Sequence, residues 1–143
     1  MFKYPFKITE MHDDTFKYYL VECLNYQGGY SQAETIEEAL ENAVEVLDLL
    51  LDDALENDSI EQPKEIKGKN IYMVTPSIEY AIPVMLKQAR QAKGMSAPQV
   101  AKALGVPYQN YWRLEKGERK NITIGTLKRA AAVLGLSVDI SFV

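Results

Sequence analysis

The chain has 143 residues, 47% of them hydrophobic, with 16 Lys and Arg against 20 Asp and Glu and a formal charge of −4. That length builds one ordinary domain or two very small ones, and the composition excludes a disordered chain. A single cysteine, Cys23, and a single histidine, His12, exclude a disulfide framework and a Cys/His metal site within one chain. No apolar run approaches the roughly 18 residues that span a bilayer, and Met1 to Tyr4 lacks the pattern of a signal peptide, so a cytoplasmic protein is expected.

The small net charge hides a division. Residues 1–80 hold six Lys, no Arg and 17 acidic residues, a charge of −11, whereas residues 81–143 hold ten basic and three acidic residues, a charge of +7. Phosphate backbones repel the first half and attract the second, so two modules with different partners are expected. The stretch from Glu61 to Gly68 has no usable apolar period and carries Pro63 and Gly68, which reads as a loop at the seam. The boundary is placed near Pro76, giving modules at 1–75 and 76–143.

In chain order, Phe2, Tyr4, Phe6 and Ile8 alternate with Lys3, Lys7 and Thr9, the period of a half-buried strand. Pro5 cannot donate to a ladder and is expected at a sheet edge or a bulge. His12-Asp13-Asp14 reads as a turn, and the aromatic and β-branched run from Phe16 to Cys23 as the returning strand of a hairpin. A weaker third strand is expected near Gly29 to Gln32. Thr35-Ile36-Glu37-Glu38 is a capping box, in which Thr35 bonds the Glu38 amide and Glu38 reaches back to Thr35. The helix that follows carries a stripe at Ile36, Leu40, Ala43, Leu47, Leu50, Leu51 and Ala54, directed at the sheet. Residues 34–58 contain ten acidic side chains and no Lys or Arg, so packing and not charge must hold this helix. Its acidic face suits a basic partner. Ile71 to Val74 is a short apolar run that closes the first module or leads into the second.

The basic half reads as helices. Ile78, Ala81, Ile82, Met85, Leu86 and Ala89 follow helical spacing up to Gly94, with Pro83 either kinking the helix or marking its regular start. Ser96 caps a short helix that Gly105 closes, and Pro107 opens another, Tyr108 to Glu115, that Lys116-Gly117 ends. Two short helices about a small turn form a helix-turn-helix. A further helix is expected from Thr126 to Leu134, then a strand from Leu136 to Val143 with Leu136, Val138, Ile140 and Phe142 on one face. Because that strand has no partner in its module, it is expected to pair with a second copy and make a homodimer. In the second short helix, Tyr108, Gln109, Asn110, Trp112 and Arg113 are the candidates to face DNA, while Tyr111 and Leu114 face the core. Lys116, Arg119 and Lys120 follow, where phosphates pass.

The run from Ser96 to Gly117, with Ala101 where the helices cross, Gly105-Val106 in the turn and Glu115-x-Gly117 at the end, resembles the Cro/repressor-type helix-turn-helix over about Leu86 to Gly135. That resemblance implies operator DNA as a partner and an ion pair between Arg90 and Glu115 that ties the first helix to the recognition helix. The first module resembles the HicB antitoxin family through its N-terminal strand, its aromatic second strand and Gly29-Tyr-Ser-Gln-Ala-Glu-Thr-Ile-Glu-Glu-Ala-Leu-Glu-Asn-Ala43. It implies an α+β protein in which a small ribonuclease H-like antiparallel sheet with one long helix precedes the DNA-binding domain. It also implies an antitoxin that neutralises a HicA-type toxin ribonuclease and represses its own operon, with Glu37, Glu38, Glu41 and Glu45 as the toxin-facing candidates. No catalysis, metal or cofactor is expected. Glu10, Asp13, Asp14 and Glu22 raise the rival reading of a metal-dependent nuclease, but Asp13 and Asp14 read as turn residues. The other alternative is a repressor whose acidic module senses a small ligand.

Overall fold

Alternation at Tyr4, Phe6 and Ile8 becomes the first strand, β1 (Tyr4–His12), in the computed structural model, which describes residues 3–118 and 121–142. The chain divides into two compact units, Met1–Ser77 and Ile78–Val143. Among the described residues the architecture is mixed α+β, with one four-stranded antiparallel sheet and five helices. No helix among them is long and apolar enough to cross a membrane.

In the first unit β1 pairs with β2 (Lys17–Cys23) as a hairpin in the register Phe6↔Cys23 to His12↔Lys17. Its turn is closed by the Asp13 amide donating to the Phe16 carbonyl. β3 (Tyr30–Ala33) adds to β2, and β4 (Ile71–Val74) adds to the other side of β1, giving the order β3-β2-β1-β4. β1 is therefore an interior strand, so of the edge or bulge expected for Pro5 the edge is excluded. Proline is tolerated because the registered β1–β2 pairs begin only at Phe6. Pro5 still accepts from the Leu24 amide, and Lys64 Nζ stands 3.5 Å from the Leu24 carbonyl that proline cannot serve.

The long helix α1 (Ile36–Glu56) starts at Thr35, whose hydroxyl accepts from the Glu38 amide at 3.1 Å. The Glu38 carboxylate accepts from the Glu34 amide and not from that of Thr35, so the reciprocal bond reaches one residue further back. Ala39, Ala43, Leu47, Leu51, Ala54 and Leu55 are buried, together with Tyr4, Phe6, Ile8, Val21, Cys23 and Ala33 of the sheet. Leu40, expected in the buried stripe, is exposed, and Ala39 takes its place. The connection approaches α1 closely at Gly29, where an added Cβ would lie 2.7 Å from Leu50 Cδ1 and 2.9 Å from Cys23 Cβ.

The Pro/Gly-bearing stretch after α1 is a loop, as expected, but it is fastened within the first unit. Buried Asn25 donates to the Gln62 carbonyl and accepts from the Lys64 amide, the Tyr4 hydroxyl donates to the Glu61 carbonyl, and the Glu61 amide donates to the Tyr26 hydroxyl. These bonds satisfy Asn25, the one buried uncharged polar residue of the core among the described residues, and steer the chain back to β4.

The second unit holds α2 (Ile78–Ala92), α3 (Ala97–Leu104), α4 (Tyr108–Glu115) and α5 (Ile124–Val133). α2 continues through Pro83, with Val84 buried and Ile78 and Met85 exposed, so its buried face is rotated from the predicted stripe. α5 begins two residues earlier than predicted because Thr123 caps it, accepting from the Thr126 amide. Leu86, Val100, Ala101, Tyr111, Leu114, Ala130 and Leu134 form the core. The strand expected from Leu136 to Val143 is not formed over 136–142, and Val143 lies outside the described residues. An isolated strand leaves its backbone groups unpaired, and the second unit offers no other strand among the described residues. Leu136, Ile140 and Phe142 are left in solvent, Phe142 at 98% exposure.

Candidate nucleic-acid interface

Two capping devices fix the helix pair that carries the candidate DNA contacts. The Ser96 hydroxyl accepts from the Gln99 amide at 3.2 Å while Gln99 Oε1 accepts from the Ser96 amide at 2.8 Å, and Pro98 occupies the first turn of α3. At the other end Gly105 adopts φ 71°, a left-handed conformation that turns the chain sharply into α4. Ala101 is buried beneath the crossing, where a larger side chain would force the helices apart.

Tyr111 and Leu114 of α4 face the core. Burial, followed by the neighbouring Glu115 carboxylate, pushes ionisation of the Tyr111 hydroxyl well above its usual range, so it stays neutral. Arg90 and Glu115 are brought together: Arg90 Nε lies 3.0 and 2.9 Å from the two Glu115 carboxylate oxygens, and Nη1 donates to the Met95 carbonyl at 2.9 Å. Their side chains are only 16% and 8% exposed. One guanidinium therefore locks α2, the turn after it and the end of α4 into a single frame. Its own protonated form is favoured further by the bond to Glu115. Beside it, Lys87 is buried, and desolvation, then repulsion from Lys116, lowers its proton affinity.

The opposite face of α4 is open. Tyr108, Gln109, Trp112 and Arg113 are exposed and, with Glu118, line a hollow of about 350 Å³. Lys116 Nζ lies 5.8 Å from the centroid of the Trp112 ring, within cation–π range. Asn110 is exposed but is not part of this group, since it lines a separate hollow of about 170 Å³ with Leu104, Val106, Thr126 and Arg129. Arg119 and Lys120 lie outside the described residues. Glu118 and Arg129, which line these hollows, were not singled out from the sequence.

Residues 86–140 match the helix-turn-helix family model. The second unit is a DNA-binding helix-turn-helix. No curated protein matches the chain. The match begins within α2 and extends past α5, so all four helices of the second unit take part. The chain is accordingly a DNA-binding transcription regulator, and the outer face of α4 is the candidate surface for base contacts.

In the first unit, Glu37, Glu41 and Glu45 are exposed at four-residue spacing along α1. Glu38 is exposed as well, but its carboxylate is engaged at the helix start. Asp48 is similarly occupied, accepting from the Ser77 amide. On the same helix Leu49 is 71% exposed between Glu45 and the pair Asp52 and Asp53. The helical spacing leaves Leu49 out of the buried stripe, but no sequence signal marks it as a contact residue. At the hairpin tip the Glu10 carboxylate is 3.0 Å from Lys17 Nζ. Among the described residues no three His, Cys, Asp or Glu side chains converge to hold a metal.

Proposed function

We propose that this regulator is an antitoxin of the HicB type, binding operator DNA through α3 and α4 and a small basic HicA-type toxin through the acidic face of α1. The observation that carries the second part is α1 itself, with Leu49 exposed among carboxylates and no Lys or Arg from residue 34 to 58. Such a face attracts a basic protein over a distance and gives it an apolar contact on arrival. The resemblance of residues 29–43 to the HicB helix-start pattern and the ribonuclease H-like fold it implies support the same reading. The candidate DNA contacts are Tyr108, Gln109, Trp112 and Arg113 for bases, with Asn110 beside them and Lys116, Arg119 and Lys120 for phosphates.

The test is a pull-down of the full chain with a small basic HicA-type protein, sought among those encoded beside it. The double variant Glu41→Lys, Glu45→Lys should weaken that complex by about tenfold or more at low salt and much less at high salt, with operator affinity unchanged. Equal binding by the variant would exclude the α1 face. A co-purified small molecule with no protein partner would instead favour a ligand-sensing repressor.

The regulator is proposed to act as a homodimer through residues 136–143. Leu136, Ile140 and Phe142 are exposed and alternate, and antiparallel pairing of two copies would bond the facing edge of each strand and bring these side chains together. Two recognition helices would then sit about one DNA turn, roughly 34 Å, apart. Deleting residues 137–143 should yield a monomer by solution mass and reduce operator affinity at least tenfold. A truncated chain that remains dimeric would refute this assembly.

A further inference from the structure

We infer that the hollow on the outer face of α4 reads the 5-methyl group of thymine in the operator. This rests on α4 being the recognition helix and adds the chemical group that it selects.

Tyr108 and Trp112 stand one helical turn apart, at 46% and 36% exposure, and wall the hollow with aromatic surface. Core packing does not account for that exposure, since Tyr111 and Leu114 already fill the inward side of the helix. Base edges in the major groove present donors and acceptors at every pair, and the one apolar group among them is the thymine methyl. Of the groups on the four base edges, the thymine methyl is the one that the two rings of this hollow complement. The Lys116 ammonium over the Trp112 ring restrains the indole before DNA arrives. The remaining groups on the hollow extend the reading to its neighbours. Gln109 suits the N6 and N7 of adenine, Arg113 the O6 and N7 of guanine, and Glu118 the N4 amino group of cytosine. The expected half-site thus contains an A·T pair read on both strands, by Gln109 on adenine and by the two rings on a thymine methyl, adjacent to a G·C pair.

The experiment selects duplexes from a random pool with the full chain, then replaces each thymine of the selected sequence by deoxyuridine, one at a time. Deoxyuridine removes the methyl and leaves the hydrogen-bonding edge intact. One thymine position in each half-site should lose about four- to tenfold in affinity on replacement, the scale of one buried methyl. The variants Trp112→Ala and Tyr108→Ala should bind the thymine and deoxyuridine duplexes alike. If every replacement in the wild-type complex changes affinity less than twofold, the rings pack on sugar or on protein and the inference fails while the recognition role of α4 stands. The same follows if both alanine variants keep the full discrimination. If no preferred sequence emerges from selection, the recognition role and the inference fall together.

Discussion

Arg90→Ala is expected to destabilise the DNA-binding unit by about 3–5 kcal/mol, the loss seen when one partner of a buried ion pair is removed. Glu115 would keep its carboxylate in a site only 8% exposed, with both Arg90 Nε contacts gone, and the Met95 carbonyl would lose its donor. That loss is comparable to the whole stability of a domain of this size. Because the defect is the stranded charge, Arg90→Met combined with Glu115→Leu should recover much of it, and Arg90→Lys should fall between, keeping charge but not the planar fork. Denaturant unfolding of the full chain, followed by Trp112 fluorescence, measures the second unit, since Trp112 is the only tryptophan. An Arg90→Ala midpoint equal to wild type would show that the pair contributes nothing. A double variant no better than Arg90→Ala would show that the guanidinium matters for more than its charge.

Cutting the chain between Ser77 and Ile78 is expected to separate two activities completely. Each fragment keeps a core of its own: Tyr4, Phe6, Val21, Leu47 and Leu51 in one, Leu86, Val100, Tyr111, Leu114 and Leu134 in the other. Residues 1–77 carry a formal charge of −10 and residues 78–143 a charge of +6. On the antitoxin proposal, the first fragment should protect cells from the neighbouring toxin without binding operator, and its affinity for toxin should fall as salt rises. The second should bind operator without protecting, with an affinity that also falls with salt through its phosphate contacts. Protection that required residues 78–143 would overturn the assignment of toxin binding to the acidic unit and favour a ligand-sensing repressor.

Local signals were readable wherever the determining atoms lie within a few residues of one another. Thr35 and Glu38, Ser96 and Gln99, Gly105 at the turn, and the spacing from Ala101 to Gly117 each prescribe their conformation through bonds or contacts inside one turn of chain. The inward direction of Tyr111 and Leu114 followed from the same short-range period, and with it the outward direction of Tyr108, Gln109, Trp112 and Arg113.

Other features depend on partners far along the chain. Pro5 suggested a sheet edge or a bulge, yet β4 closes on β1 from about 70 residues away and makes β1 interior. The course of the loop beyond α1 is set by Asn25, Tyr4 and Tyr26, 35 to 57 residues distant, and nothing in the loop announces those bonds. In α1 the spacing placed Leu51 in the buried stripe and left Leu49 out of it, as packing has them, but it put Leu40 where the sheet takes Ala39. Residues 136–142 alternate as a strand but stay unpaired, because a strand exists only with a neighbour and the unit supplies none among the described residues. By itself, then, the sequence determined the caps at Thr35 and Ser96, the turn at Gly105 and the helix-turn-helix, whose energetics are local. The tertiary structure decided strand order, helix phase and which side chains share a hollow, because those depend on contacts whose partners no short window contains.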